Sequence, residues 1–471
     1  MRVLAVYIFV AFCSILAYRD WYKALCGLIL LMAVIEHPDM PKSVFGIQGM
    51  NPWNILLVNV VLGWLIQRRR EGLCWDMPRH VVVLFFLYLA VMLVGFGRMM
   101  SDRKGLEEFT AGYLVSEHLI NSLKWIVPAV LVFDGCRDKR RLYWIIGVTL
   151  GVYLLLALQV VRWVPFSAML SGDSLTARSR KIILNEVGYH AVNMSMLLAG
   201  ASWAVVSLLA LMRKKKYRVG VILAALCILY GQALTAGRMG YATWCITGLI
   251  LCLLRWRRWL LLAPVVLIVI VLALPGVVER LSQGFEAASV SGEEVTDEAQ
   301  VTSGRTIAWP MVIDKIFESP LVGYGQMAMM RTGISTRLLE ELDEAFPHPH
   351  NAYLQLLLDN GLIGFFLVTP FYFLMLYYAV GLFRDKNNDV NAAVGGIATA
   401  LLLALLVAAF GSQTFYPREG AVGMWIAFAL ILRIVAWRQA APRGVAPVNP
   451  RYATLPQTPE TLASLHGQAA H

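Results

Sequence analysis

Two histidines and an asparagine stand just before a long apolar segment, in HPHNAYLQLLLDNG at residues 348–361. The apolar segment that follows, 361–382, is long enough to cross a membrane by itself. Residues 351–360 are therefore predicted to form a short helix outside the bilayer core, ended by Asn360 and Gly361. The positive N-terminal end of that helix disfavours a protonated imidazole, so His350 is predicted to be neutral and able to accept a proton.

A second interpretation of the same stretch involves no chemistry, because His350 could simply cap the helix. His348 is a secondary candidate, since Pro349 holds it on a different side of the chain. Asn351, which follows His350 directly, is the other secondary candidate.

Two arginines are candidates for binding an anion. Arg238 lies in QALTAGRMGYATW, a short connection between two apolar runs, and an arginine at the edge of a bilayer is costly and tends to be functional. Gly237 and Gly240 on either side of it would permit close approach of a ligand. Arg305 lies in a loop and follows the same logic. The alternatives are an Arg238 that reaches lipid phosphate and an Arg305 that is only solvated.

A third basic group consists of Arg178, Arg180 and Lys181. It lies in a connection predicted to be external, where the positive-inside rule does not predict basic clusters. The group is a candidate for attracting an anionic lipid headgroup, and an ordinary solvated loop is the alternative.

The rest of the chain has the composition of a membrane protein. Of its 471 residues 58% are hydrophobic and 15% charged, and the mean hydropathy is +0.63. Long apolar runs recur, which predicts an all-α polytopic membrane protein with about 12–13 transmembrane helices and one large, partly helical periplasmic loop. The predicted helices start near residues 3, 22, 53, 81, 117, 142, 188, 218, 239, 258, 361, 391 and 420.

The net charge of +11 is distributed as a membrane protein requires. Short basic clusters such as 68–70, 136–141 and 213–218 alternate with less basic connections, so they are predicted to face the cytoplasm. This distribution argues against a nucleic-acid partner. The segment 438–471, rich in Pro, Ala and Thr, is predicted to be a disordered cytoplasmic tail.

One connection, 276–360, is long, rich in acidic residues and predicted to be external. Within it, SGRTIAWPMVIDKIFESPLVGYG at 303–325 predicts an amphipathic helix, capped by Ser303 and stopped by Ser319-Pro320. Its apolar positions recur at helical spacing and predict that it lies on the membrane surface or on the helix bundle; they are Ile307, Met311, Val312 and Ile316.

The sequence has no nucleotide-binding fingerprint, catalytic triad spacing or His/Cys metal cluster, so no cofactor or metal is predicted. An enzyme of this kind needs a substrate that arrives activated. A lipid-linked pyrophosphate sugar meets that need, because arginines can bind its phosphates and a histidine can take a proton from an attacking hydroxyl.

The order of LTAGRMGY, SGRTIAWPMVIDKIFESPLVGYG and HPHNAYLQLLLDNGLIG resembles the O-antigen ligase and polymerase superfamily, over roughly residues 185–430. The chain then divides into N-terminal transmembrane helices (1–184), an O-antigen ligase-like membrane core (185–437) and the tail (438–471). The resemblance implies a metal-independent inverting glycosyltransferase of the bacterial inner membrane whose site faces the periplasm. It implies that His350 activates the acceptor while Arg238 and Arg305 hold the pyrophosphate.

The resemblance implies a glycan donor linked to undecaprenyl pyrophosphate and, as acceptor, a hydroxyl of a glycan, of lipid A-core or of another molecule. The ligase interpretation is preferred to a repeat-unit polymerase of the same superfamily, and transfer of glycan to protein is a third activity that the resemblance leaves open. A lipid or polysaccharide transporter or flippase stays as the alternative of another class, although no internal repeat is visible and intramembrane acids are scarce.

Overall fold

The computed structural model describes residues 2–44, 47–282, 305–342 and 346–440. The described chain is almost entirely helical, and its one sheet pairs Ser43–Val44 with Ile47–Gln48. The helices are α1 (Arg2–Ala17), α2 (Trp21–Leu30), α3 (Pro52–Arg70), α4 (Arg79–Ser101), α5 (Ala111–Val115), α6 (Asn121–Leu123), α7 (Val127–Gly135), α8 (Lys139–Trp163), α9 (Gly172–Glu186), α10 (Ala191–Val206), α11 (Lys215–Ala233), α12 (Arg238–Leu254), α13 (Ala263–Ala273), α14 (Pro275–Ser282), α15 (Arg305–Glu318), α16 (Ala328–Arg331), α17 (Ile334–Leu342), α18 (Ala352–Phe383), α19 (Asp389–Ala408) and α20 (Val422–Ala440).

The predicted all-α membrane fold is confirmed. Among the described residues, six helices are long and apolar enough to cross a membrane: Arg79–Ser101, Lys139–Trp163, Ala191–Ala210, Ala352–Phe383, Asp389–Ala408 and Glu419–Gln439. Three shorter apolar helices, Val3–Ala17, Trp21–Ala33 and Arg238–Leu254, also match predicted spans.

The remaining four predicted spans correspond to helices that are more polar, shorter or interrupted. The helices α3 and α11 carry basic residues at one end, and α13 has only 11 residues. The span predicted near residue 117 is broken into α5, a π-helical turn at Ser116–Ile120, α6 and α7. Pro128 at the start of α7 contributes to this break, since proline lacks the amide hydrogen that a continuous helix would use.

Small residues bring the central helices close together. A Cβ atom added to Gly200 of α10 would lie 2.6 Å from the Cβ of Ala404 in α19. One added to Gly240 in the first turn of α12 would lie 1.8 Å from the Oγ of Ser195 in α10. Backbones that pack this closely gain dispersion contacts, which are the main attraction between helices inside a membrane. The start of α12 is therefore fixed against α10.

The element α18 consists of two helices that meet at a kink at Gly361. Gly361 has φ 63° and ψ −170°, a conformation that is essentially restricted to glycine. The predicted end of the first helix at Asn360-Gly361 is therefore confirmed, and the second helix runs on to Phe383. A kink frees backbone groups that must find other partners in a membrane protein.

The segment that follows α15 supplies those partners. The amides of Leu362 and Ile363 donate to the carbonyl oxygens of Pro320 and Leu321, at 2.8 and 3.0 Å. On the other side of the kink, the carbonyl oxygens of Leu358 and Asp359 accept from the amides of residues 324 and 325, at 2.9 and 2.6 Å. These four hydrogen bonds, hereafter the kink seam, join residues 320–325 to both halves of α18.

The amphipathic helix predicted after Ser303 is α15, and its apolar face packs on the protein. Ala308 and Val312 are buried in a small core with residues of α16, α17 and the first part of α18, and Met311 packs against it. Of the two predicted positions, the helix bundle is the one observed. The predicted cap Ser303 lies outside the described residues, as does the tail from residue 441 onward.

Alanine at Gly361 should destabilise the protein. The backbone conformation would cost about 1–3 kcal/mol with a side chain, and the new Cβ atom would lie 2.4 Å from the carbonyl of Leu321. We expect the apparent melting temperature of the purified protein to fall by a few degrees or more. Gly381→Ala, in a regular turn of the same helix with open space around it, is the matched control. Equal melting temperatures for the two variants would contradict this account of the kink.

Candidate active site

The two histidines of the opening stretch lie in one tight turn. His350 has φ +50°, in the left-handed region, and its amide donates to Nδ1 of His348 at 3.3 Å. The two rings meet edge to face with centroids 4.4 Å apart. The indole Nε1 of Trp309 donates to the carbonyl oxygen of Pro349 at 2.9 Å and ties the turn to α15.

Asn351, and not His350, caps the helix. The Oδ1 of Asn351 accepts hydrogen bonds from the amides of Tyr353 and Leu354 at 3.0 and 3.2 Å. The interpretation of His350 as a plain cap is therefore wrong, and its half-buried imidazole does not serve the helix end. Asn351 is buried and its acceptor oxygen is engaged with the backbone, so it holds the turn in place.

The surroundings of His350 strongly favour its neutral form. Burial, and then the neighbouring His348, Arg305 and His190 in that order, together lower the pKa of His350 to about 3. The sequence analysis predicted the same protonation state from the end of the helix. The structure assigns it first to loss of water and then to nearby cationic groups.

Arg305 is the first residue of α15 and lies beside the histidine turn. Its Nη2 donates to the carbonyl oxygen of Gly411 at 2.9 Å, whereas its Nε is buried and has no hydrogen-bond partner within the described parts of the chain. Burial and then the charge of Arg238 lower the pKa of Arg305. Trp309 lies one helical turn further along α15, so the same helix positions Arg305 and holds the histidine turn.

Arg238 opens α12 and faces Arg305 closely enough for their charges to interact. It stands at the N-terminus of a 17-residue helix, where the backbone adds positive partial charge. The neighbouring Gly237 and Gly240 were expected to admit a ligand. Instead, a Cβ atom on either would collide with Ser195, so these glycines admit α10 and thereby fix where Arg238 emerges.

The third basic group lies on a helix and not in a loop. Arg178, Arg180 and Lys181 are exposed on α9, an element that the sequence analysis did not predict. Arg180 acts electrostatically on His190. Burial lowers the pKa of His190 most, and the charge of Arg180 lowers it further. The structure thus relates one of the three residues to the histidines, through His190.

Two site residues were missed. Arg418 lowers the pKa of His348, after burial, and also that of His190. His190 lies directly before α10 and lowers the pKa of both His348 and His350. A signal for Arg418 was present in the sequence, since it lies in one of the few short connections between two apolar helices. His190 carries no comparable signal.

The site is therefore a group of cationic and neutral-histidine side chains drawn from distant parts of the chain. Residues 220–369, which include Arg238, Arg305 and His350, match the family model described as O-Antigen ligase. The match supports a relation of this part of the chain to the O-antigen ligase and polymerase superfamily. No curated protein matches the sequence.

The superfamily match covers the kink, the histidine turn and two of the arginines, but not the whole site. His190, Arg418 and the helix α9 lie outside residues 220–369. Together, the apolar helices described above and this match indicate a multi-pass membrane protein.

The lowered pKa of His350 should make the protein sensitive to acid. The unfolded chain takes up a proton on this imidazole below about pH 6.5, whereas the folded protein does so only near pH 3. Stability is therefore lost as the pH falls below about 6.5. We expect the drop in melting temperature between pH 7 and pH 5 to be smaller for His350→Asn than for the wild type. His80→Asn, a histidine bonded to Tyr378 on α18, serves as control. An unchanged drop in His350→Asn would refute the effect.

Proposed function

We propose that the protein is a membrane glycosyltransferase of the O-antigen ligase type. It would transfer a glycan from undecaprenyl pyrophosphate to an acceptor hydroxyl on the periplasmic face of the bacterial inner membrane. The observation that carries the proposal is the juxtaposition of a neutral histidine, His350, with the arginine pair Arg238 and Arg305. The superfamily match over the same residues supports it.

The arginine pair suits a pyrophosphate. Two guanidinium groups held near each other repel, and the Nε of Arg305 is buried without a partner in the described chain. A bound anion would relieve the repulsion and accept that unused hydrogen bond, and guanidinium groups bind phosphate oxygens in a bidentate manner. We propose that the arginines stabilise the leaving pyrophosphate in the role that a metal ion has in other enzymes, so the reaction needs no metal.

The histidine would act as the general base. It takes the proton of the acceptor hydroxyl while the oxygen attacks the anomeric carbon, and the bond between that carbon and the pyrophosphate oxygen breaks. The leaving lipid pyrophosphate keeps the electron pair. Direct displacement inverts the anomeric configuration.

Donor binding would also strengthen this base. In the unliganded protein the charge of Arg305 contributes to the low pKa of His350. A pyrophosphate bound to Arg305 offsets that charge, so the pKa of His350 rises toward the working pH when the donor is in place. A base that is weak until the donor binds would limit wasteful hydrolysis of the donor by water.

His348 and Asn351 would support the base rather than react. His348 accepts the amide hydrogen of His350, and Asn351 caps the helix that begins after it. The basic residues Arg178, Arg180 and Lys181 on α9 would attract the anionic headgroup from the side. A repeat-unit polymerase of the same superfamily would use the same groups. The glycan that accumulates on the lipid carrier when transfer is blocked distinguishes the two activities.

Replacing His350 with alanine should abolish transfer. In the native host lacking the chromosomal copy, we expect wild-type protein to restore surface polysaccharide and His350→Ala to fail at equal expression, with His80→Ala as control. Long glycans stranded on the lipid carrier would identify a ligase, and single repeat units a polymerase. Unchanged surface and lipid-linked glycans in His350→Ala would overturn the proposed base and favour a transporter.

The hydrogen bond from Trp309 to Pro349 should be needed for the geometry of the base. Trp309→Phe keeps an aromatic ring but loses the donor, so the histidine turn is no longer tied to the helix that carries Arg305. Misplacement by about 1 Å can reduce a rate on the order of 100-fold, and we expect at least a tenfold slower transfer. Trp259→Phe, at an exposed position, is the control. Equal transfer rates in the two variants would show that the tie is dispensable.

A further inference from the structure

A second polar cluster lies next to the histidines and has no part in the mechanism above. It contains Glu36, Glu419 and Arg418, and is called here the carboxylate cluster. Arg418 pairs with Glu419 through Nη2 and Oε1 at 3.4 Å. All three side chains are partly buried.

Backbone packing brings Glu36 to this place. A Cβ atom added to Gly188 would lie 1.6 Å from the carbonyl oxygen of Glu36, so the turn after α2 is pressed against the turn before His190. Gly188 has φ +85°, a second reason why a side chain is excluded there. The contact joins the N-terminal helices, which lie outside the matched residues 220–369, to the site.

The charged residues of the site form two groups, and each group acts on one of the two histidines. Arg305 acts on His350 and is itself influenced by Arg238. On the other side, Arg418 acts on His348 and on Glu36. The arginine pair, assigned to the donor, thus acts on His350, whereas Arg418 of the carboxylate cluster acts on His348.

Polar groups in and below the carboxylate cluster lack partners. The Nε of Arg418 is buried without a hydrogen bond to any described residue. A cavity of about 20 Å³, enough for one water molecule, is lined by Glu419, Tyr189 and Thr149 among others. Thr149 is only 4% exposed, and its Oγ1 also has no partner among the described residues. Buried polar atoms without partners indicate a polar ligand or water nearby.

The carboxylate of Glu36 is in an unfavourable position within the carboxylate cluster. Burial, and then the nearby charge of Glu419, raise the pKa of Glu36 to about 7, although Lys124 and Arg418 oppose this rise. A ligand that donates hydrogen bonds to the carboxylate oxygens would stabilise them. The two glutamates are balanced by Arg418 and Lys124, so an uncharged ligand with several hydroxyl groups suits the cluster better than an ion.

We propose that the carboxylate cluster is the acceptor subsite, in which Glu36 and Glu419 accept hydrogen bonds from sugar hydroxyls of the acceptor glycan and Arg418 donates one. This inference rests on the proposed function. It puts the attacking hydroxyl on one side of the histidine pair and the leaving pyrophosphate on the other, as an in-line displacement requires.

The test is a kinetic comparison in which donor and acceptor concentrations vary separately. A host strain lacking the protein supplies both probes, its accumulated undecaprenyl-pyrophosphate glycan as donor and its lipopolysaccharide as acceptor. The full-length protein is purified as wild type, Glu36→Gln, Glu419→Gln and His350→Ala. Glu340→Gln, an exposed glutamate on α17, is the matched control. Melting temperatures establish that each variant is folded.

We expect the KM for the acceptor to rise about tenfold or more in Glu36→Gln and Glu419→Gln, as for loss of a hydrogen bond to a charged group. The KM for the donor should change less than about twofold, since the arginine pair is intact. A purely structural role would raise both constants or lower the folded fraction. Kinetics like those of Glu340→Gln would overturn the acceptor subsite.

The same experiment separates this inference from the proposed function. If wild type transfers glycan and His350→Ala does not, the proposed function stands whatever the glutamate variants do. If His350→Ala retains transfer, the proposed base is wrong. An acceptor effect in Glu36→Gln would then still identify the carboxylate cluster as an acceptor site.

Discussion

Repulsion between cationic groups is the constraint on which the site depends. Arg238 and Arg305 are held near each other, Arg305 also acts on His350, and Arg418 acts on His348 from the other side. Left to themselves, such groups would move apart into water. They stay together because the backbone fixes each one: Arg238 and Arg305 each begin a helix, and Arg418 lies in the connection between α19 and α20. The fold therefore holds a positive potential ready for an anion.

That rigidity comes from close backbone contacts rather than from the site side chains themselves. Gly240 packs on Ser195 and fixes the start of α12, and Gly188 packs on Glu36 and fixes the turn before α10. Alanine at either position would force neighbouring atoms to move. The helices of the site thus meet at distances that only glycine allows, and the charged side chains extend from anchored backbone.

Local patterns were sufficient to predict the central residues but not their neighbours. Arg238 and His350 stood out because charged and polar residues beside apolar runs are rare, and α15 was visible from its helical spacing. Partners across long sequence distances carry no such mark. The contribution of Glu36, the position of His190 and the role of Gly240 in packing on α10 all arise from contacts between distant helices. The helix end at Asn360-Gly361 was visible from that dipeptide, whereas the kink seam that joins residues 320–325 to both halves of α18 was not.

Because α18 bends at Gly361, a small rotation there moves the far end of its first part by a larger distance. Its first part, from Ala352 to Asn360, is about 14 Å long at 1.5 Å per residue, and His350 lies just beyond the far end. A rotation of about 5° at Gly361 would therefore displace the imidazole by roughly 1 Å, which is enough to impair the proton transfer proposed for it. The hydrogen bonds of residues 320–325 lie at the kink itself, where they resist a rotation of the first part of α18 least effectively. The hydrogen bond from Trp309 to Pro349 lies at the far end, where a single bond resists that rotation most effectively. The position of His350 thus depends on both the kink seam and the hydrogen bond from Trp309. Both come from the segment that begins with Arg305.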